Sequence, residues 1–271
     1  MKFRTEVKIA PFSRPIALNE QIVALGSCFA SELSEALTAR NLQVLCNPLG
    51  PLYNPLSIAA AVERALSKRA FSAEEIATNG EGERFSFDAS TRFTDPSCEE
   101  LLKRLNTTND RLCAAIERAD RLILTFGTAW VFRLAESNEV VANCHKQPQK
   151  LFTRQMLSAE EIVKRYNTLL QGPLADKRVI FTLSPVRHLG DGLDQALAAH
   201  DKHAHGDVIL GRCSKVATHA DSLSVDLSAR TFDTEVGMDL ECKIQYSRSG
   251  RKPSEFSRRC EYEDLFCRQL Y

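Results

Sequence analysis

The residues whose types and spacing suit chemistry best are Gly26-Ser27-Cys28, where the apolar run Val23-Ala24-Leu25 stops and a helix-periodic stretch begins. Strand, tight turn and helix are predicted in that order. Gly26 permits the sharp turn, and a serine at the junction sits beside backbone N–H groups that lack helical partners and beside the positive end of the helix dipole. A hydroxyl there suits attack on a carbonyl, as in a nucleophile elbow, although the local pattern is not G-x-S-x-G and the base and oxyanion donors must come from elsewhere. Serine is also a preferred N-cap, so these residues alone leave both roles open.

Further blocks of polar residues follow predicted strands. Asn47-Pro48-Leu49-Gly50-Pro51-Leu52-Tyr53-Asn54-Pro55 is dense in turn formers. Its prolines fix φ and Gly50 allows close backbone approach, so the loop holds a rigid shape at a strand end, where open α/β sheets bind ligands. The alternative is an ordinary strand-to-helix connection. Gly127-Thr128-Ala129-Trp130 follows an apolar run. Asn143-Cys144-His145-Lys146 offers an amide, an imidazole and a charge, a set that also suits a surface loop. In Ser184-Pro185-Val186-Arg187-His188, Arg187 suits a carboxylate or substrate oxygen and His188 is the imidazole best placed to face the other strand ends; a structural clamp and a hydrogen-bonded loop residue are the plainer roles.

Gly26-Ser27-Cys28-Phe29-Ala30 resembles the signature of the GSCFA family, and the other four blocks resemble the same family. That family is grouped with the SGNH (GDSL-like) hydrolases, so the resemblance implies a flavodoxin-like three-layer α/β/α fold and ester hydrolysis. It implies Ser27 as nucleophile, with the N–H groups of Cys28 and Gly50 and the Asn143 amide around the oxyanion. Asn54 and Arg187 are further substrate contacts, His188 is the substitute base and His145 the second choice. The chain departs from the wider pattern in three places, the first of which, Gly127-Thr128-Ala129-Trp130, resembles the form that the GSCFA family itself carries. Ala129 and Trp130 stand where SGNH hydrolases carry Asn-Asp, Asp88-Ala89-Ser90 stands near a block that often carries histidine, and no histidine has an aspartate three positions before it. The usual C-terminal base is therefore absent. A non-catalytic ligand-binding protein on the same scaffold and an inactive product are the rival readings, and a Cys28 nucleophile is a lesser enzyme alternative.

Positioning such a site requires parallel strands, and continuous apolar runs supply them at residues 22–25, 42–46, 121–126 and 177–183, as expected for strands covered on both faces. Helical spacing follows at Phe29, Leu33 and Leu37, then at Ile58, Val62 and Leu66 after Pro55, and at Leu101, Leu105, Leu112 and Ile116. A helix is also predicted from Phe152 to Tyr166, opened by Ser158. Residues 71–100 read as a polar excursion with an edge strand at Arg84–Asp88, and residues 1–20 as an extended lead-in. The resemblance covers residues 1–190, read as one α/β domain. Residues 191–271 read as a divergent segment, disordered or of frameshifted origin, rich in loop-forming residues.

Among 271 residues, basic and acidic side chains number 35 each, so no global field points to nucleic acid or a membrane surface. No run approaches the roughly 18 apolar residues of a membrane span, and no secretory leader is apparent. Nine cysteines without a C-x-x-C fit reduced thiols in a cytoplasmic protein better than a disulfide framework or metal site. No cofactor is expected. The partner is a small-molecule or acylated substrate.

Overall fold

The computed structural model describes residues 15–183 and 212–213. Four strands form the parallel centre of a five-stranded sheet: β1 (Gln21–Gly26), β2 (Gln43–Cys46), β6 (Arg121–Phe126) and β10 (Arg178–Leu183), with β11 (Arg212–Cys213) antiparallel at the edge. The order is β11-β10-β6-β1-β2. The chain goes from β1 outward to β2 and then returns across β1 to β6, so the winding reverses between β1 and β6. In doubly wound sheets this switch point opens a crevice at the carboxyl ends of the strands.

The pleat divides the strands between two layers. Val23, Leu25, Leu122, Leu124, Val179 and Phe181 point to one face and pack with buried Ile58, Leu105, Ile116, Tyr166 and Leu169. Those partners come from helices α2 (Pro55–Leu66), α3 (Cys98–Arg118) and α4 (Ala159–Gln171). Helix α1 (Cys28–Thr38) packs on β1, β2 and β6. Its buried residues are Ala30 and Ser34, whereas Phe29, on the apolar stripe read from the sequence, is 45% exposed. Small residues let α1 lie close to the sheet, and the Ser34 hydroxyl is satisfied by the Ala30 carbonyl at 2.7 Å.

Local signals explain the helix starts. Asn54 caps α2 by accepting from the Ser57 N–H at 2.8 Å, with Pro55 in the first turn. Ser158 and Glu161 form a reciprocal capping box on α4. Residues 152–156, expected to be helical, instead form strand β9 (Phe152–Met156), because they pair with β7 (Trp130–Leu134), which also pairs with β8 (Val140–Val141). The excursion forms a second small sheet of β3 (Ala77–Thr78), β4 (Arg84–Phe85) and β5 (Thr94–Asp95). The lead-in through residue 14 and, apart from β11, the segment 191–271 lie outside the described residues.

At the opposite, N-terminal edge the strands begin on charge. Glu20, just before β1, receives Arg121 Nε at 2.9 Å and Arg178 Nη1 at 3.2 Å, and Glu20 and Arg121 are both buried. Burial alone would raise the Glu20 carboxyl, but the hydrogen bond and charge of Arg121 overcome it and hold the carboxyl below its ordinary value.

Candidate active site

Ser27 lies at the switch point, between the end of β1 and the start of α1. It occupies the N-cap position with extended backbone, yet its side chain makes no capping bond. The hydroxyl instead meets the Thr125 hydroxyl at 3.3 Å, and the Ser27 N–H donates to the Thr125 carbonyl at 3.1 Å. Thr125 belongs to β6 and is itself buried. The turn needs Gly26: its φ is +137°, and a β-carbon there would come within 2.1 Å of the Thr125 carbonyl oxygen. Asn47 fixes the turn from the other side, accepting from the Gly26 N–H at 2.8 Å through Oδ1. The hydroxyl thus stands at the positive end of an eleven-residue helix. Cys28 is the first residue of that helix, a position whose N–H has no partner within the helix.

Tyr53 and Gly127 close the other side. The Tyr53 carbonyl accepts from the N–H groups of Gly127 at 2.8 Å and Thr128 at 3.1 Å, which ties the Asn-Pro loop to the segment after β6. A β-carbon at Gly127 would lie 3.1 Å from both the Ser27 β-carbon and the Tyr53 ring, so the three residues converge on one point. The Tyr53 hydroxyl lies 3.1 Å from Cys28 Sγ. Sequence reasoning did not single out Thr125, Tyr53 or Asn47. A lone hydroxyl in the buried run Arg121–Phe126 was the available signal for Thr125; for Tyr53 it was an aromatic phenol in a loop of turn formers.

Gly50, expected as an oxyanion donor, and Asn54, expected as a substrate contact, are engaged elsewhere. The Gly50 N–H donates to the Asn47 carbonyl at 2.9 Å. Gly50 has φ +90°, and a β-carbon there would meet Ser90 Oγ at 2.0 Å, so this glycine serves close packing. The Asn54 amide is occupied at both ends, accepting from the Ser57 N–H and donating to the Ser57 hydroxyl at 2.9 Å.

His145 and Asn143 belong to a neighbouring cluster. The His145 ring is buried, stacks on Phe85 at 4.4 Å between centroids, and holds Nε2 2.9 Å from the Ala89 carbonyl. That contact requires Nε2 to carry the proton. Burial holds the imidazole below its ordinary value, against the raising influence of the Ala89 and Ser86 backbone. Asn143 accepts from the His145 N–H at 2.8 Å, an Asx-type turn that supports the positive φ of 48° at His145. The Ala89 partner is held from α2: buried Arg64 binds Asp88 at 2.9 Å and Glu75 at 2.5 Å. Cys144, also buried, has its thiol pushed up to about 12 by burial. The structure therefore joins Ser27, Cys28, Tyr53 and Gly127 on one side and Asn143, His145 and Ala89 on another, with the Asn47–Gly50 turn and Ser90 between them. Arg187 and His188 lie outside the described residues.

A small cavity lined by Leu49, Ser57, Arg64, Asp88, Val140 and Ala142 does not include Ser27 or Tyr53 in its lining, so the site is assigned from side-chain geometry rather than concavity. Among the described residues, no three His, Cys, Asp or Glu side chains gather as metal ligands, and no helix is long and apolar enough to cross a membrane.

A family model described as the GSCFA family matches residues 21–199, a span that contains all five polar blocks. No curated protein and no solved structure matches the chain. The chain belongs to the GSCFA family.

Proposed function

We propose that this GSCFA-family protein is a serine hydrolase of the SGNH type that cleaves an ester or acyl group, with Ser27 as nucleophile. The observation that carries the reading is the Ser27 hydroxyl, which occupies an N-cap position without capping and is held by Thr125 at the switch point. A cap residue whose side chain makes no capping bond leaves the first helical N–H groups to an incoming oxyanion, where the dipole favours negative charge.

The reaction runs in two halves. Ser27 Oγ attacks the acyl carbonyl while a base takes its proton, the oxyanion lies toward the Cys28 N–H, and the alcohol departs with a proton returned by the base. Water then attacks the acyl-serine by the reverse route and releases the acid. His188 is the proposed base, on its place in the sequence after β10. His145 suits the role less, because its Nε2 faces the Ala89 carbonyl and its ring is stacked on Phe85. Arg187 is proposed to hold a substrate oxygen, and Asn143, whose Oδ1 is engaged, retains an amide nitrogen to offer. Cys28, Cys46, Cys98, Cys113 and Cys144 are free thiols, which suits the proposed cytoplasmic setting and a small-molecule or acylated substrate.

The test compares wild type with Ser27→Ala in p-nitrophenyl acetate hydrolysis and in labelling by a fluorophosphonate probe. Both should require Ser27. Absence of Ser27-dependent labelling, with ligands still raising Tm, would establish the non-catalytic binding protein instead.

A further inference from the structure

The donors predicted for an oxyanion are fewer in the folded protein than in the sequence. Of the Cys28 N–H, the Gly50 N–H and the Asn143 amide, the Gly50 N–H is bonded to the Asn47 carbonyl, and Asn143 sits in the neighbouring cluster with its Oδ1 held by the His145 N–H. That leaves the N–H at the start of α1 beside Ser27, with the Asn143 amide nitrogen on the adjoining cluster, a thin arrangement for stabilising a tetrahedral intermediate. The Tyr53 side chain supplies what is missing. Its ring and the Ser27 β-carbon both come within 3.1 Å of the same point above Gly127. Its hydroxyl is 3.1 Å from the sulfur of Cys28, the residue that follows the nucleophile and presents the helix N–H. A charge-assisted bond from a phenol to an oxyanion is stronger than its bond to a thiol.

We infer that Tyr53 is a catalytic residue whose phenol donates a hydrogen bond to the oxyanion formed on Ser27, and that Cys28 parks this donor between turnovers. The inference rests on the serine hydrolase reading. The ring is braced for the role: the Tyr53 carbonyl is fixed by Gly127 and Thr128, and Asn54 beside it caps α2. The loop Asn47–Pro55 thus supplies a catalytic donor as well as a rigid wall. The Cys28 side chain is a partner in this arrangement and not a nucleophile.

The experiment uses the full chain as wild type, Tyr53→Phe and Ser27→Ala, with p-nitrophenyl acetate as substrate and the fluorophosphonate probe as a titrant of competent sites. In Tyr53→Phe, kcat per labelled site should fall about 10²-fold, as for loss of one oxyanion donor, while KM changes little, and phenylboronic acid should bind more weakly than to wild type. A purely structural role would lower Tm and the labelled fraction but leave kcat per labelled site unchanged, which overturns the inference alone. If wild type shows no Ser27-dependent labelling or turnover, the hydrolase reading fails and this inference with it. If Tyr53→Phe does not fold, a fluorinated tyrosine placed at position 53 keeps the shape of the ring and makes the phenol more acidic. The alkaline limb of kcat should then move to lower pH, and an unmoved limb overturns the proposal.

Discussion

At the N-terminal edge of the central sheet stand Glu20, just before β1, and Arg121 and Arg178, which open β6 and β10: a buried carboxylate bound by two guanidinium groups. Toward the C-terminal edge the same strands carry Gly26, Thr125 and Thr182 in register, the two threonines one residue before the ends of β6 and β10. The first edge is fully charged and its charges are paired. At the second edge, that register row holds small hydroxyls, one of which, Thr182 Oγ1, is buried and has no hydrogen-bond partner among the described residues, and a glycine at positive φ. The contrast teaches that strands held by charge at one end can afford a strained, weakly satisfied turn at the other, where reactive groups need room to change partners.

The comparison breaks most sharply at Ser27. Ser27→Ala should lower turnover by about 10⁴-fold or more, as removal of a serine nucleophile does, with Tm nearly unchanged; steady-state kinetics and thermal unfolding read both. Retained turnover would remove the chemical half of the contrast. Next in size is Glu20→Gln, which leaves Arg121 buried without its counter-charge and should cost about 3–5 kcal/mol in urea unfolding, with kcat per folded molecule preserved. Loss of activity at undiminished stability would show that the two edges are not divided in this way.

Thr125→Val removes only the hydroxyl that holds Ser27 and should cost about 1 kcal/mol of stability, with a larger effect on kcat than on KM. Equal turnover would mean that Ser27 is oriented by its backbone alone. The acid limb of stability should show the smallest effect. Because Arg121 holds the folded Glu20 carboxyl below its ordinary value, its contribution is present above the unfolded value of about 4.3 and is lost as pH falls through the folded value. Wild type should therefore lose stability in that window more steeply than Glu20→Gln. Parallel urea midpoints against pH for the two proteins would contradict this.

The strands of the sheet were legible because burial on both faces leaves continuous apolar runs at 22–25, 122–124 and 179–181. Strand β9 was not, since four of its five residues are exposed and its identity comes from pairing with distant β7. Phe29, Leu33 and Leu37 mark helix α1 by their spacing, but spacing cannot tell that Ala30 and Ser34 are the residues that meet the sheet. The position of Ser27 could be read from the strand-turn-helix pattern. The unavailability of Gly50 and Asn54 could not, because each depends on hydrogen bonds that residue type does not reveal. Tyr53 and Thr125 enter the site only when the Asn-Pro loop and β6 are brought beside Gly26.

The buried thiol of Cys144, pushed up to about 12, has a practical consequence. Together with buried Cys113, whose thiol is also raised by burial and by Glu117, it is protected from alkylating reagents while the protein is folded. Peptide-resolved alkylation of these two cysteines therefore times how often the interior opens, residue by residue, in unmodified protein and without a dye or a tag.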